Sequence, residues 1–293
     1  MKRKDIIMTE ELKDFLSFDL GHMDESKFEN KVYDVKYSSN EDLTCDIYYP
    51  EEKKDKYPVF LIVYGGGWVS GFKRSRFIEP MLKPLQYGYA CVVPDYTLAV
   101  DGMFPEPIKD LKNAIAWVKE KGSDYSLDGE NITVWGESAG GHLCLECTLM
   151  PDDLFELDYS QNTKVNSVVS FYPHINIQTS DEQMKATFPD GMMSFSDDSV
   201  FGIFMGPQIH DQKALEMSNP TNYISADMPK IWLQHGDQDK LVPYQQTIEF
   251  TDAVKEKYPE TILHSEICEG KEHTDPYFFT DENMKRIIDF IES

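Results

Sequence analysis

The sequence has little positive charge and no long apolar run. Lysine and arginine together number 28 against 52 aspartates and glutamates, which leaves a formal net charge of −24. Such an acidic surface repels nucleic-acid phosphates and anionic lipid head groups over a screening length of about 8 Å. No run of about 18 uncharged apolar residues occurs, and the N-terminus has no signal-peptide core. We therefore expect no nucleic-acid partner and no membrane contact, and we predict a soluble, cytoplasmic protein.

Linkers, repeats and a disulfide framework are also missing. No segment has the Pro, Gly or Ser bias of a linker, so we expect a single domain over residues 1–293. The five cysteines are an odd number without framework spacing, which favours reduced thiols. Cys144 and Cys147 form a C-x-x-C without a second pair that would complete a metal site. We interpret them as buried small side chains.

Apolar runs alternate with helical patterns along the chain. Strand-like runs occur at Val32 to Tyr37, Leu43 to Tyr49, Pro58 to Tyr64, Tyr89 to Asp95, Ile132 to Gly136, Val165 to Tyr172, Lys230 to His235 and Ile262 to Cys268. Apolar repeats at three- and four-residue steps predict helices around residues 108–118, 248–254 and 284–291. This order predicts an α/β fold in which helices cover both faces of a mostly parallel, eight-stranded sheet. The first two strands are too close in sequence for a crossover, so they should form an antiparallel hairpin at the edge.

One long segment, Asn176 to Met228, has no clear strand pattern. It contains six of the thirteen methionines and Phe188, Phe195, Phe201 and Phe204. These side chains would either form an adaptable apolar wall of a substrate pocket or pack into a small core of their own. The segment also carries acidic residues that disfavour an anionic substrate, namely Asp181, Glu182, Asp190, Asp197 and Asp198.

A serine lies between glycines in TVWGESAGGH, residues 133–142. Ser138 follows a predicted strand and precedes a predicted helix from Ala139 to Met150, which places it on a sharp strand-to-helix turn. Glycines at 136 and 140 leave room for neighbouring backbone, and the start of the helix favours developing negative charge. The pattern is typical of a nucleophile, although a serine that only caps a helix would look similar.

A serine nucleophile needs a base and a carboxylate that orients the base. EGKEHTDP places His273 in the loop before the last helix, and HGDQDKLVP places Asp237 and Asp239 after a strand at the same end of the sheet. The other six histidines lie inside predicted elements or precede these aspartates. A histidine base predicts activity that rises through a pKa near 6.5, whereas a polar loop histidine would have no such effect.

Three glycines in YGGGWVSG, residues 64–71, follow another predicted strand. Their backbone N–H groups can approach a substrate closely, so we predict that Gly66, Gly67 and Ala139 donate to the oxyanion of acyl transfer. A nucleotide-binding loop is a poor alternative, because Ser70 stands where that motif needs a third glycine.

Six motifs together resemble the α/β-hydrolase superfamily. They are YGGGW, DYTLA, FPEPIKD, GESAGG, HGDQDKLVP and the Glu272–His273 pair, in the order serine, acid, histidine. The chain is most similar to lipolytic esterases with an HGGG-type oxyanion loop, which include bacterial acetyl and feruloyl esterases and hormone-sensitive-lipase-like carboxylesterases. The resemblance covers roughly residues 43–290. It implies an α/β-hydrolase fold with an N-terminal extension at residues 1–30 and a lid insertion at residues 176–228.

The resemblance also implies roles and chemistry. Ser138 would be the nucleophile, His273 the base and Asp239 the acid, with Asp237 as the alternative acid. The implied protein is a serine esterase that forms an acyl-enzyme on short-chain esters, such as acetyl or feruloyl esters of plant-derived sugars, without metal or organic cofactor. Tyr64 stands where these families usually have a histidine that steadies the oxyanion loop.

Other functions share this constellation. An arylformamidase or a prolyl-oligopeptidase-type peptidase would use the same three side chains, and the superfamily also contains noncatalytic binding proteins. All three predicted members are present here, which argues against a binding module. We expect a small-molecule ester as substrate, and the sequence leaves assembly into a homo-oligomer open.

Overall fold

The computed structural model describes residues 6, 9–189, 191 and 195–293 of the chain. One sheet contains β1 (Lys31–Lys36), β2 (Thr44–Tyr48), β3 (Tyr57–Val63), β4 (Ala90–Pro94), β5 (Leu127–Glu137), β6 (Ser167–Phe171), β7 (Lys230–Gly236) and β8 (Leu263–Cys268). The strand order is β1-β2-β4-β3-β5-β6-β7-β8. Pairs β1–β2 and β2–β4 are antiparallel, and the other pairs are parallel. The predicted edge hairpin and the mostly parallel, eight-stranded sheet are confirmed.

The middle strands are buried over nearly their whole length because their side chains are almost all apolar. β5 begins at Leu127, five residues before the predicted start at Ile132. Its early residues pair with the start of β3 across an irregularity in the register, where Tyr57 lies opposite Leu127 and Val59 opposite Ile132. The residues between Leu127 and Ile132 are mostly polar, and the apolar run that predicts the strand starts only at Ile132. The sequence pattern therefore does not predict this extension.

Eight α-helices are described. They are α1 (Glu10–Ser17), α2 (Glu106–Lys121), α3 (Ala139–Leu149), α4 (Ile177–Thr187), α5 (Val200–Met205), α6 (Gln212–Met217), α7 (Gln245–Lys257) and α8 (Asp281–Glu292). In α2 the apolar repeat predicted from the sequence is fully buried, and in α8 the buried face is Met284, Ile287 and Ile288. The helices predicted from apolar periodicity around residues 108–118, 248–254 and 284–291 form as α2, α7 and α8, and the helix predicted from Ala139 to Met150 forms as α3.

Residues 176–228 lie between β6 and β7 and contain α4, α5 and α6. Phe201 and Phe204 are completely buried and belong to the main core. The exposed Asp197 pairs with His210 at 2.7 Å, from Oδ1 to Nε2. Asp190 and the methionines at 192 and 193 lie outside the described residues. That the segment acts as a lid stays a prediction.

The N-terminal extension is folded against the body of the protein. Thr9 caps α1 by accepting the N–H of Leu12 at 3.2 Å, and Leu12 is buried in the core. All five cysteines are free and buried, as predicted. Among the described residues, no helix combines the length and apolarity needed to cross a lipid bilayer.

Candidate active site

Ser138 occupies a strained turn between β5 and α3. Its φ and ψ are 55° and −124°, a conformation that non-glycine residues rarely adopt. A Cβ at Gly136 would lie 2.3 Å from the carbonyl oxygen of Gly140, and a Cβ at Gly140 would lie 2.3 Å from that of Val63. The two glycines are therefore a steric requirement of this turn.

The structure brings Ser138, His273 and Asp239 together from three distant parts of the chain. His273 Nε2 lies 3.0 Å from Ser138 Oγ, and His273 Nδ1 lies 2.7 Å from Asp239 Oδ2. When Nδ1 carries the proton and donates it to the carboxylate, Nε2 is free to accept from the serine hydroxyl. The arrangement can therefore transfer a proton from Ser138 to His273.

The two candidate aspartates have different surroundings. Asp239 is completely buried, and its Oδ1 accepts the N–H groups of Leu241 and Val242 at 2.9 and 2.8 Å. Asp237 instead accepts the N–H of Gly270 at 2.7 Å and so ties two loops together. Asp239 is thus the carboxylate that contacts His273, as the resemblance implied.

Burial and charge act in opposite directions on the two titratable partners. Burial raises the pKa of Asp239, but the neighbouring His273 and the hydrogen bond from His235 outweigh it, so this pKa lies well below its ordinary value. Burial lowers the pKa of His273, but Asp239 and then Glu137 outweigh it, so this pKa lies above its ordinary 6.5. The pair is therefore arranged to stabilise an imidazolium beside a carboxylate.

Two residues near the pair were not expected from the sequence. His235 accepts from the Thr247 hydroxyl at 2.8 Å, and its Nε2 lies 3.0 Å from the carbonyl oxygen of Val242 and 3.3 Å from Asp239 Oδ2. Tyr172 has a φ of 38°, and its ring centroid lies 4.5 Å from that of His273. Its position at the end of a strand argues against His235 as the base, and no sequence pattern predicts its contact with the acid.

The glycine-rich loop at residues 64–71 follows β3. Gly66 and Gly67 have φ values of 117° and 58°, which L side chains rarely adopt. Within the described residues, neither of their amides donates to a protein acceptor. The amide of Ala139 is the first of α3 and has no acceptor within that helix. The geometry leaves these predicted donors available, and their role as an oxyanion hole stays a prediction.

A partly buried carboxylate holds the start of this loop. Glu137 Oε1 accepts the N–H of Gly65 at 2.8 Å. Burial raises the pKa of Glu137, and the charge of His273 and the Gly65 hydrogen bond only partly offset that rise. No sequence pattern predicts a role for Glu137, although its place next to the nucleophile is a usable signal.

Tyr64, in the place of the family's histidine, packs against the end of the loop, where a Cβ built at Gly71 would lie 2.5 Å from its Cδ2. Its ring stacks on Tyr96 with centroids 4.6 Å apart, and its hydroxyl accepts the Tyr96 N–H at 3.4 Å. The next aromatic residue, Trp68, is completely buried and stacks on Phe204 with centroids 4.7 Å apart. The loop is therefore held by Glu137 and by aromatic packing.

Within the described part of the chain, no three His, Cys, Asp or Glu side chains are grouped to hold a metal ion.

Comparisons with known proteins agree with this geometry. The family model BD-FAE matches residues 45–254. The probable carboxylic ester hydrolase LipM of Mycobacterium tuberculosis is 30% identical over 215 residues, which are 72% of this chain and 48% of LipM. Esterase LipQ of the same organism is 30% identical over 216 residues, with coverage of 72% and 48%. The chain spans about half the length of these curated relatives.

A solved structure extends the comparison to nearly the whole chain. A truncated carbohydrate esterase from gut microbiota is 23% identical, with a TM-score of 0.75 over 92% of this chain and 98% of that one. Identity at this level shows a common fold. Given the strand order, the strained serine turn and the family match over residues 45–254, the chain belongs to the BD-FAE family and has the α/β-hydrolase fold.

Proposed function

We propose that the protein is a serine carboxylic-ester hydrolase that acts through an acyl-enzyme on short-chain esters. The observation that carries this proposal is the continuous hydrogen-bonded path from Ser138 Oγ through His273 to Asp239, with distances of 3.0 and 2.7 Å. Two curated relatives are named as a carboxylic ester hydrolase and an esterase, which supports the same reaction class.

The first half of the reaction acylates Ser138. The Oγ atom attacks the ester carbonyl carbon while His273 Nε2 takes its proton, and the carbonyl electron pair moves onto oxygen. Gly66, Gly67 and Ala139 donate to that oxyanion, and each donor of this kind contributes about 3 to 4 kcal/mol. The C–O bond to the alcohol then breaks, and His273 returns the proton to the leaving oxygen.

The second half releases the acid. Water attacks the acyl carbonyl carbon, His273 takes a proton from that water, and Asp239 stabilises the imidazolium. Collapse of the tetrahedral intermediate breaks the bond to Ser138 Oγ, which recovers the proton. The cycle needs no metal or organic cofactor, because all four proton transfers use His273.

The substrate class we favour is acetyl or feruloyl esters of plant-derived sugars. The fold neighbour is described as a carbohydrate esterase from gut microbiota, which supports a sugar ester. The only partner in this proposal is that small molecule, without nucleic acid or membrane, and assembly into a homo-oligomer is left open. A cytoplasmic location also stays a prediction.

The test is a substrate panel with a matched nucleophile variant. We expect the purified chain to hydrolyse p-nitrophenyl acetate and butyrate and acetylated xylo-oligosaccharides, and Ser138→Ala to lose about five orders of magnitude in kcat. Retained turnover by this variant would reject Ser138 as the nucleophile. Formyl-kynurenine and proline amides belong in the panel, since turnover of these alone would identify an arylformamidase or a peptidase.

A further inference from the structure

The N-terminal helix α1 touches the oxyanion loop. A Cβ built at Gly67 would lie 2.9 Å from Cζ of Phe15 and 3.3 Å from its Cε1, so the phenyl ring packs directly on this glycine. Val200 of α5 approaches the same point, with its Cγ1 3.5 Å from that Cβ position. Gly67 is therefore enclosed by side chains from two segments distant in sequence. The family match begins only at residue 45, so Phe15 lies outside it.

The extension is attached to the segment that follows the loop. The N–H of Met23 donates to the carbonyl oxygen of Arg74 at 3.0 Å, and the N–H of Arg76 donates to that of Gly21 at 3.3 Å. Lys27 forms an ion pair with Glu79. These contacts hold the residues that follow α1 against the segment after the loop.

A loop with three consecutive glycines has wide conformational freedom, and its donors are useful only when they are preorganised. Gly65 is anchored by Glu137, and Trp68 is anchored by Phe204. Between them, the carbonyl oxygen of Gly66 accepts the N–H groups of Val69 and Ser70 at 3.2 and 3.0 Å. Packing from outside the loop is added at Gly67, where Phe15 and Val200 lie against the glycine.

We propose that Phe15 is a positioning residue that keeps the Gly67 amide in its donor geometry, so that the N-terminal extension is a working part of the site. This inference rests on the proposed esterase function. Because the oxyanion exists only in the transition state and intermediate, loss of this support lowers kcat more than it raises KM.

The test compares two phenylalanines of the extension. Phe15→Ala should lower kcat on p-nitrophenyl acetate by about 10- to 100-fold, the size expected for a displacement approaching 1 Å, with KM changed by no more than about twofold. Phe15→Leu keeps apolar bulk and should recover part of the loss. Phe18→Ala is the matched control: Phe18 is 58% exposed and contacts Phe77 and Arg76. It should stay within about twofold of wild type.

Unchanged kcat in a folded Phe15→Ala variant, or an effect on KM alone, would overturn the inference. A melting curve establishes that each variant is folded at the assay temperature. If Phe15→Ala does not fold, Val200→Ala removes the second contact with Gly67 and should lower kcat in the same direction, and unchanged kcat there would equally overturn the inference.

The proposed function can fail separately. If wild type turns over no ester, the esterase proposal fails, and the rate at which a fluorophosphonate labels Ser138 then replaces kcat. Slower labelling in Phe15→Ala than in Phe18→Ala would support the positioning role, and equal labelling rates would refute it.

Discussion

The two halves of the candidate site are held together by different forces. In the acid–base half, Ser138, His273 and Asp239 are joined side chain to side chain by directional hydrogen bonds of 3.0 and 2.7 Å. In the oxyanion half, backbone amides of a glycine-rich loop are placed by one carboxylate and by aromatic rings from distant segments. Substitutions in the first half should abolish nearly all activity, because each proton transfer needs every partner. Substitutions in the second half should lower kcat by intermediate amounts.

The largest effect should come from the acid, apart from removal of the nucleophile itself. Asp239→Asn puts an amide donor beside His273 Nδ1, which favours the tautomer with the proton on Nε2. In that tautomer Nε2 cannot accept a proton from Ser138. We expect kcat to fall about 10⁴-fold in steady-state assays on p-nitrophenyl acetate.

Asp237→Asn is the matched control for this change. An asparagine Oδ1 can still accept the Gly270 N–H, so turnover should stay close to that of wild type. Equal losses in the two variants would mean that direct contact with His273 does not distinguish Asp239 from Asp237.

Substitution of Glu137 should give an intermediate effect. Glu137→Leu leaves the Gly65 N–H buried without its acceptor, a cost of about 1 to 3 kcal/mol that the loop can relieve only by moving. We expect kcat to fall by about 10- to 100-fold with a smaller change in KM, measured by steady-state kinetics on the same ester. A loss of kcat as large as that of Asp239→Asn would show that substitutions in the oxyanion half do not have intermediate effects.

The same division explains which parts of the site were predictable from the sequence. Ser138 and His273 each follow a predicted strand, so the sequence alone places them at one end of the sheet. The choice of Asp239 over Asp237 depends on which carboxylate faces the imidazole, and two residues in the same turn cannot be separated by spacing. Here the family resemblance supplied what the pattern did not.

Contacts between residues distant in sequence are harder to predict from the sequence. The contact of Phe15 with Gly67 joins residues 52 positions apart, and no local periodicity encodes it. The helices within residues 176–228 are short, and α5 and α6 have only six residues each, too few to show a clear amphipathic repeat. Glu137 is visible in the motif, but its partial burial and its bond to Gly65 follow only from the way β3 lies beside β5.

The smallest expected effect is a shift in pH dependence that links the two halves. His273 faces the carboxylates of Asp239 and Glu137 and the buried imidazole of His174. Because the carboxylates raise its pKa above 6.5, activity should rise with pH through a value higher than the sequence alone predicts, and it should be lost as pH falls through that value.

Glu137→Gln isolates the charge, because its amide oxygen can still accept the Gly65 N–H while the negative charge is removed. The acidic limb of kcat/KM should therefore move to lower pH, whereas kcat at the optimum falls less than in Glu137→Leu. Profiles of wild type and variant between about pH 5 and 9 measure this shift. An acidic limb that does not move, or that moves upward, would show that Glu137 acts on the loop alone and that the base senses only Asp239.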